Sequence, residues 1–304
     1  MPMVPLQMET PPVPRFGCVA VEMTSKLTSP EKQRRRALIV PREHGAWGML
    51  LIPLVTGAAV GLLAGGRVAQ VLLLTTAVLA LFWLRTPVES WFGASAVRVQ
   101  TGPERQLVRG VIVPLAAIAA VSLSALFWQG KNRGLIWVGL IAGAAFAAQM
   151  FLKRMGRTTR MAAEVVGALA LTSTASAAYC VATGRLDTRA WALWLLNWLF
   201  AAGQVHFVWL RIRGARAAGL SEKFTVGWNF LAGQMLLSGM LAVAYHFRWL
   251  PQLTLIAFVP ALFRGFVWFA QKPQPIMVRR LGWTELAHAL VFGVLLTAGF
   301  WLVP

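Results

Sequence analysis

Nine apolar stretches of similar length follow one another along the chain, separated by polar segments rich in arginine and lysine. Each stretch is close to the roughly 20 residues that a helix needs to cross the hydrocarbon core of a bilayer. Because a backbone in lipid must satisfy its own hydrogen bonds, such stretches are helices. They lie at 45–65, 68–84, 110–128, 134–152, 162–182, 190–210, 225–246, 249–269 and 283–303. The pattern predicts an all-α, polytopic membrane protein whose nine transmembrane helices occupy residues 41–304.

Residues 1–40 have a different character. They contain six prolines and end in a basic run that includes Arg34, Arg35 and Arg36. A charged, proline-rich segment buries too little apolar surface to offset the entropy lost on ordering. We therefore expect a disordered basic tail on the cytoplasmic side.

Basic residues alternate in density from one connection to the next. The tail and every second connection hold 22 lysines and arginines, whereas the intervening connections hold six. Membrane proteins concentrate such residues in their cytoplasmic segments. The asymmetry predicts a cytoplasmic amino terminus and an external carboxyl terminus, in a multi-pass protein of the bacterial cytoplasmic (inner) membrane.

The composition agrees with a lipid environment. The chain is 58% hydrophobic and only 13% charged, with a mean hydropathy of +0.63. A soluble protein carries about 25% charged residues, so the bilayer is the expected partner. The net charge of +19 would suit nucleic acid, but the basic residues flank the apolar stretches, and we expect no nucleic-acid partner.

Small residues recur at four-residue spacing in two of the predicted helices. The first helix carries Gly57, Gly61 and Gly65, and the fourth carries Gly139, Gly143 and Ala147. This spacing stacks small residues on one helix face, where a neighbouring backbone can approach closely. We expect a close helix contact at both places.

Ionisable side chains gather where the predicted helices meet the cytoplasmic side. A charge at the centre of a membrane costs about 2.5–3.5 kcal/mol, so inward-facing charges near helix ends are the usual functional candidates. The candidates are Glu43, His44, Arg85, Glu164, His206, Arg211, Arg264, Glu285 and His288. We expect a polar, inward-facing cavity there. We predict that six of these side chains approach one another in the cytoplasmic third of the bundle: Glu43, His44, Glu164, His206, Arg211 and Glu285.

Each candidate also has a structural explanation. Glutamates in the first turn of a helix favour the positive end of its dipole, and arginines at helix ends reach lipid phosphates. The spacing Glu285-x-x-His288 is that of a carboxylate–histidine metal site, but it occurs once and we predict no metal site. The histidines lie too close to helix ends for haem. Arginines at helix ends instead favour an anion site, and no cofactor follows from the residues.

The segment Pro41-Arg42-Glu43-His44-Gly45-Ala46-Trp47-Gly48-Met49 resembles the opening signature of the YwiC-like family of bacterial membrane proteins. Trp209-Leu210-Arg211 and the Lys-Pro-x-Pro stretch before Leu281-Gly282-x-x-Glu285 add to the resemblance, which covers most of residues 37–304. The family has no established activity. Its namesake is similar to neighbours of anaerobic nitrate-respiration genes, so the resemblance hints at a respiratory membrane.

A looser resemblance is to the UbiA superfamily of prenyltransferases. It implies nine helices, a cytoplasmic amino terminus and a site at the cytoplasmic end, where two Asp-rich motifs hold magnesium pyrophosphate. The corresponding places here, residues 83–89 and 209–213, contain no aspartate, and the one aspartate of the chain is Asp187. Without paired carboxylates Mg²⁺ has no cage. The resemblance therefore implies the fold rather than the metal-dependent mechanism.

The function that fits these observations best is binding or modification of a lipophilic molecule with an anionic head, isoprenoid or quinone-like, in the cytoplasmic cavity. Two alternatives stay open: a transporter or permease for a small anion, and a non-catalytic assembly partner of a respiratory complex. The residues leave open whether the chain is an enzyme.

Overall fold

The computed structural model describes residues 30–41, 44–93, 97–129, 133–156, 158–217, 219–271 and 277–302. Within these ranges the chain consists of helices and short turns, without a strand. The helices are α1 Pro30–Ile39, α2 His44–Leu63, α3 Val68–Trp91, α4 Gly102–Gln129, α5 Arg133–Arg154, α6 Arg160–Thr183, α7 Thr188–Arg213, α8 Leu220–His246, α9 Gln252–Ile256, α10 Val259–Ala270 and α11 Val278–Leu302. A single 3-10 turn, Gly214–Arg216, follows α7.

The predicted fold class is confirmed. Over the described ranges, nine helical segments are long and apolar enough to cross a membrane: α2 to α8, then α9 with α10 counted together, then α11. Several extend beyond the apolar stretches seen in the sequence. The stretch 110–128 becomes a helix that already begins at Gly102. Hydropathy marks only the part of a helix that lies in hydrocarbon, whereas the backbone hydrogen bonds continue into the polar interface.

The eighth predicted span differs from expectation because it is not one continuous helix. It forms α9 and α10, which are separated by a turn at Ala257 and Phe258. Pro260 lies in the first turn of α10. Because proline has no backbone N–H to donate to the preceding turn, it favours a helix start at this place.

The prediction of disorder up to residue 40 is wrong for its last part, which forms α1. The Arg34 guanidinium donates to the Glu104 carboxylate at 2.6 Å and to the Arg98 carbonyl at 3.0 Å. The Glu104 carboxylate also raises the pKa of Arg34. Leu38 is fully buried, and Trp83 donates to the Ile39 carbonyl. These contacts fix α1 on α3 and α4, whereas residues 1–29 lie outside the described ranges.

Helix α6 forms the centre of the bundle, packed against α2, α5 and α7. The seam predicted from Gly57, Gly61 and Gly65 is present at its first two positions, because a Cβ at Gly57 would lie 2.0 Å from the Ala175 carbonyl oxygen of α6. It is wrong for Gly65, which lies in the turn after α2 and where a Cβ would meet no described atom within 4 Å. The seam predicted on α5 is wrong. A Cβ at Gly139 or Gly143 would meet no described atom within 4 Å, so this face of α5 is open to lipid.

The nine spans follow one another through short connections and alternate in direction, which gives the bundle two distinct ends. We call the end where α3, α5, α7 and α10 finish the basic end, and the other the opposite end. At the basic end, buried Lys223 at the start of α8 donates to the Gln271 carbonyl that follows α10. At the opposite end, the Arg67 N–H before α3 donates to the Ala182 carbonyl near the end of α6.

Candidate functional site

A cavity of about 690 Å³ opens at the basic end between α2, α3, α5, α6 and the middle of α7. Three cationic side chains face it from three elements: Arg85 of α3, Lys153 of α5 and Arg160 of α6. Glu164 contributes one carboxylate to the same lining. Apart from the Gln149 amide, the remaining lining residues are apolar or small. The cavity is therefore a basic pocket in an apolar surrounding, at the level where membrane helices meet water.

The three cations differ in how firmly they are held. The Arg85 guanidinium donates to Glu89 at 2.8 Å and lies 5.8 Å from the ring centroid of Phe146. Arg160 lies 3.5 Å from the Glu164 carboxylate. Lys153 has no carboxylate within 4 Å among the residues that the structure describes. An ammonium of this kind, on a flexible stem, can reach a ligand without first breaking an ion pair.

Glu164 is fixed from two directions. Its Oε2 accepts a hydrogen bond of 2.7 Å from the Trp209 indole N–H, and its Oε1 faces Arg160. The Trp209 ring in turn lies 5.0 Å from the Arg213 guanidinium. The carboxylate therefore joins α6 to the end of α7, and its charge is shared with Arg160 rather than left for a ligand.

Gln149 is the polar side chain of the cavity that sequence reasoning missed. It is buried, lies in the apolar part of α5 and reaches across to α6. A Cβ at Gly167 would lie 2.1 Å from its amide nitrogen, so only glycine leaves room for this amide. Among the described residues it has no hydrogen-bond partner. Because the amide lines the cavity, it is free to donate to and accept from a ligand there.

A second group of candidates lies on the other face of α7, around a buried ion pair. Arg264 of α10 donates to Glu285 of α11 at 2.5 Å, and the two side chains are 14% and 13% exposed. The Gln204 amide donates to the Glu285 backbone carbonyl. The Arg264 guanidinium also lies over the Phe207 ring, 4.0 Å from its centroid. This pair joins α7, α10 and α11.

Three other candidates lie outside the cavity, and two of them, Arg211 and His288, are close to this pair. His206 is half-buried with its ring edge-on to Phe230. The His288 Nδ1 lies 2.7 Å from the Thr284 carbonyl, to which it donates because a carbonyl can only accept. Arg211 and His288 both act electrostatically on Glu285. None of the three is part of the cavity lining.

The sequence therefore grouped residues that the structure divides between two places. Arg85 and Glu164 line the cavity, whereas Arg211 and His288 lie near the ion pair of Arg264 and Glu285. His206 belongs to neither group and packs against Phe230 of α8. Glu43 lies outside the described residues, and His44 begins α2 but its side chain is not described. The approach of Glu43 and His44 to the others stays a prediction. Lys153, Arg160 and Gln149 were missed, although a lone glutamine in an apolar stretch was a usable signal.

The arrangement around Glu285 does not suit a metal ion. The carboxylate of the Glu285-x-x-His288 motif is paired with the Arg264 guanidinium. A metal ion would have to displace this guanidinium before the carboxylate could bind it. Within the described part of the chain, no three or more His, Cys, Asp or Glu side chains come together as a metal site would require. The cavity itself presents cations, which favours an anion.

Comparison with known proteins gives two matches. A family model described as "YwiC-like protein" matches residues 40–179. The "Uncharacterized protein YwiC" of Bacillus subtilis strain 168 is 26% identical over 254 residues, which covers 84% of this chain and 95% of the relative. The matched segment 40–179 runs from the start of α2 into α6. It contains all of the cavity lining except Val205.

Proposed function

We propose that this chain is a member of the YwiC-like family and binds a lipophilic molecule with an anionic head in the cavity at the basic end. The observation that carries the proposal is the lining itself: three cations and the Gln149 amide, which has no hydrogen-bond partner among the described residues, surround a cavity of about 690 Å³. The family match supports it because the matched segment supplies nearly the whole lining.

The volume and chemistry fit such a molecule. Small-molecule sites measure about 300–1,000 Å³ and combine apolar walls with a few convergent polar groups. Lys153 and Arg160 lie at the outer end of the cavity, and both are exposed. Leu171 and Ala168 lie farther along α6, toward the bundle centre. The anionic head of the ligand would contact the cations, and its apolar tail would follow the apolar walls. The Gln149 amide would donate a hydrogen bond to the head.

In this proposal the contacts to the head come from Arg85, Lys153 and Arg160, and Arg211 takes no part. Arg211 lies instead near Glu285. The UbiA-like resemblance stays a prediction, and so does the choice between binding alone and chemical modification. A small-anion transporter is the second candidate, because another basic cavity lies at the opposite end of the bundle.

Binding should depend on the anionic head and on Lys153. Farnesyl diphosphate should bind the purified protein, as measured by ligand-induced thermal stabilisation, whereas farnesol, which has the same tail without the charge, should bind much more weakly. Lys153→Ala should weaken binding about tenfold or more, because one charge-assisted hydrogen bond contributes about 1.5–3 kcal/mol. Chelator should leave the affinity unchanged, since the contacts are side-chain cations.

Arg105→Ala is the matched control, because Arg105 is exposed at the same end and is not part of the cavity lining. It should bind like the wild type. Equal affinity for farnesol and its diphosphate would overturn the anionic head, and loss of binding with chelator would revive a metal-dependent site.

We also propose that the basic end lies in the cytoplasm of a bacterial inner membrane, which the 22-to-6 division of basic residues supports. A reporter that is active only outside the cytoplasm should then work when fused after Pro304 of the full chain. A fluorescent protein that folds only in the cytoplasm should stay dark at the same position. The reverse pair of results would invert the orientation.

A further inference from the structure

We propose a second anion site, in a cavity of about 440 Å³ at the opposite end of the bundle. It lies between the start of α7, the connection from α8 to α9, and the end of α11. Two guanidinium groups face it: Arg189 in the first turn of α7, and Arg248 just after α8. The site goes beyond the lipophilic ligand proposed above, because it shares no residue with the cavity at the basic end.

The backbone of Arg248 is the first reason to regard this cavity as a site. Arg248 has φ 54°, the only positive φ of a non-glycine residue in the described ranges. Its N–H donates to the Tyr245 carbonyl, and the next N–H donates to the Ala244 carbonyl. This is the left-handed residue that commonly ends a helix, a position that favours glycine because a Cβ crowds the backbone there. An arginine here places a guanidinium at the cavity at the expense of backbone strain.

The charge balance of the cavity is the second reason. Neither Arg189 nor Arg248 has a carboxylate within 4 Å among the described side chains. The nearest acid along the chain, Asp187, is already engaged: it caps α7 by accepting from the Ala190 N–H and also accepts from the Tyr179 hydroxyl. The two arginines therefore face the cavity with their charges uncompensated by a contacting acid.

The remaining lining indicates what kind of anion fits. Thr188 and Gln252 supply further hydrogen-bonding groups, while Leu250 and Phe300 form an apolar wall. Trp249 is exposed beside them, and tryptophan is common where a membrane meets water. Guanidinium groups bind phosphate and carboxylate through paired hydrogen bonds. The ligand class is therefore a phosphate or carboxylate group, either on a lipid head or on a free anion.

The test uses the full-length protein in detergent and two probes: inorganic phosphate, and phosphatidylglycerol added in mixed micelles with phosphatidylcholine, which is zwitterionic and has no net charge, as the reference. Arg248→Gly removes the guanidinium but keeps, and relieves, the left-handed backbone. We expect it to unfold at no lower temperature than the wild type, so that loss of binding cannot be attributed to misfolding. Arg67→Ala is the control, because Arg67 is exposed at the same end and lies outside the cavity.

Arg248→Gly and Arg189→Ala should each weaken binding of the anionic probe about tenfold or more, the effect of losing one charge-assisted hydrogen bond. Arg67→Ala and Lys153→Ala should bind like the wild type, which separates this site from the cavity at the basic end. A response to phosphatidylglycerol alone supports a lipid head, and a response to phosphate as well supports a free anion. Equal binding by all four variants, or an equal loss in Arg67→Ala, would overturn the site.

Discussion

Arg264→Leu should destabilise the protein by about 3–5 kcal/mol, the usual effect of removing one partner from a buried ion pair. The substitution would leave the Glu285 carboxylate without its cation in a bundle where that side chain is 13% exposed. Its Oε2 already has no partner in the described structure. The free energy of unfolding, measured by titration with a denaturing detergent, reports the effect.

Two controls make the origin of this loss clear. Replacing both partners, Arg264→Met with Glu285→Leu, should recover most of the stability, because an apolar pair of similar volume avoids burying either charge. Arg35→Leu removes a cation from the pair with Glu31, whose side chains are 54% and 72% exposed, and should cost about 0–1 kcal/mol. A double variant as unstable as Arg264→Leu would show that the pair is needed for more than charge compensation.

The number of helices could be predicted from the sequence because it depends on a single property. Apolar length decides whether a segment can span lipid, and this criterion identified every span among the described residues. Helix α1 could not be found in this way. Its order depends on tertiary contacts, namely the Arg34–Glu104 ion pair and the burial of Leu38, which bring together residues far apart along the chain.

The candidate site was only partly predictable from the sequence. The position of a residue in an apolar stretch indicates its depth in the membrane, but it does not indicate which neighbouring helix the side chain faces. Val205 of α7 lines the cavity, whereas the side chain of its neighbour Gln204 donates a hydrogen bond to the Glu285 backbone carbonyl of α11. One residue of difference turns a side chain by about 100° around the helix axis. Glu164 and Glu285 open their helices alike in the sequence, yet they belong to different groups, because the packing of α6 and α11 sets which face looks inward.

The same reasoning explains why one glycine seam was right and the other wrong. Gly57 and Gly139 have equivalent spacing patterns in the sequence. Of the two, only Gly57 faces another helix. The same substitution at the two positions therefore compares a packed glycine with an exposed one. Gly57→Ala would place a Cβ 2.0 Å from the Ala175 carbonyl oxygen, which α2 and α6 can avoid only by moving apart. We expect a loss of about 2–3 kcal/mol or more in the free energy of unfolding, as for overpacked cores.

Gly139→Ala should have little effect or stabilise slightly, because its Cβ meets no described atom within 4 Å and alanine favours a helix over glycine by about 1 kcal/mol. Similar losses at both positions would contradict the close α2–α6 contact. The same unfolding assay serves for both variants.

Second-site substitutions separate the two kinds of close contact in this seam. At Gly61 the nearest atom to an added Cβ is the Ala182 methyl group, at 2.7 Å. Ala182→Gly removes that methyl and should recover much of the stability lost in Gly61→Ala, although the Tyr179 Cα at 3.3 Å stays close. Ala175→Gly should not rescue Gly57→Ala, because the atom in the way is a backbone oxygen that every residue carries. Rescue at both positions would mean that side-chain volume, rather than backbone approach, sets the distance between α2 and α6.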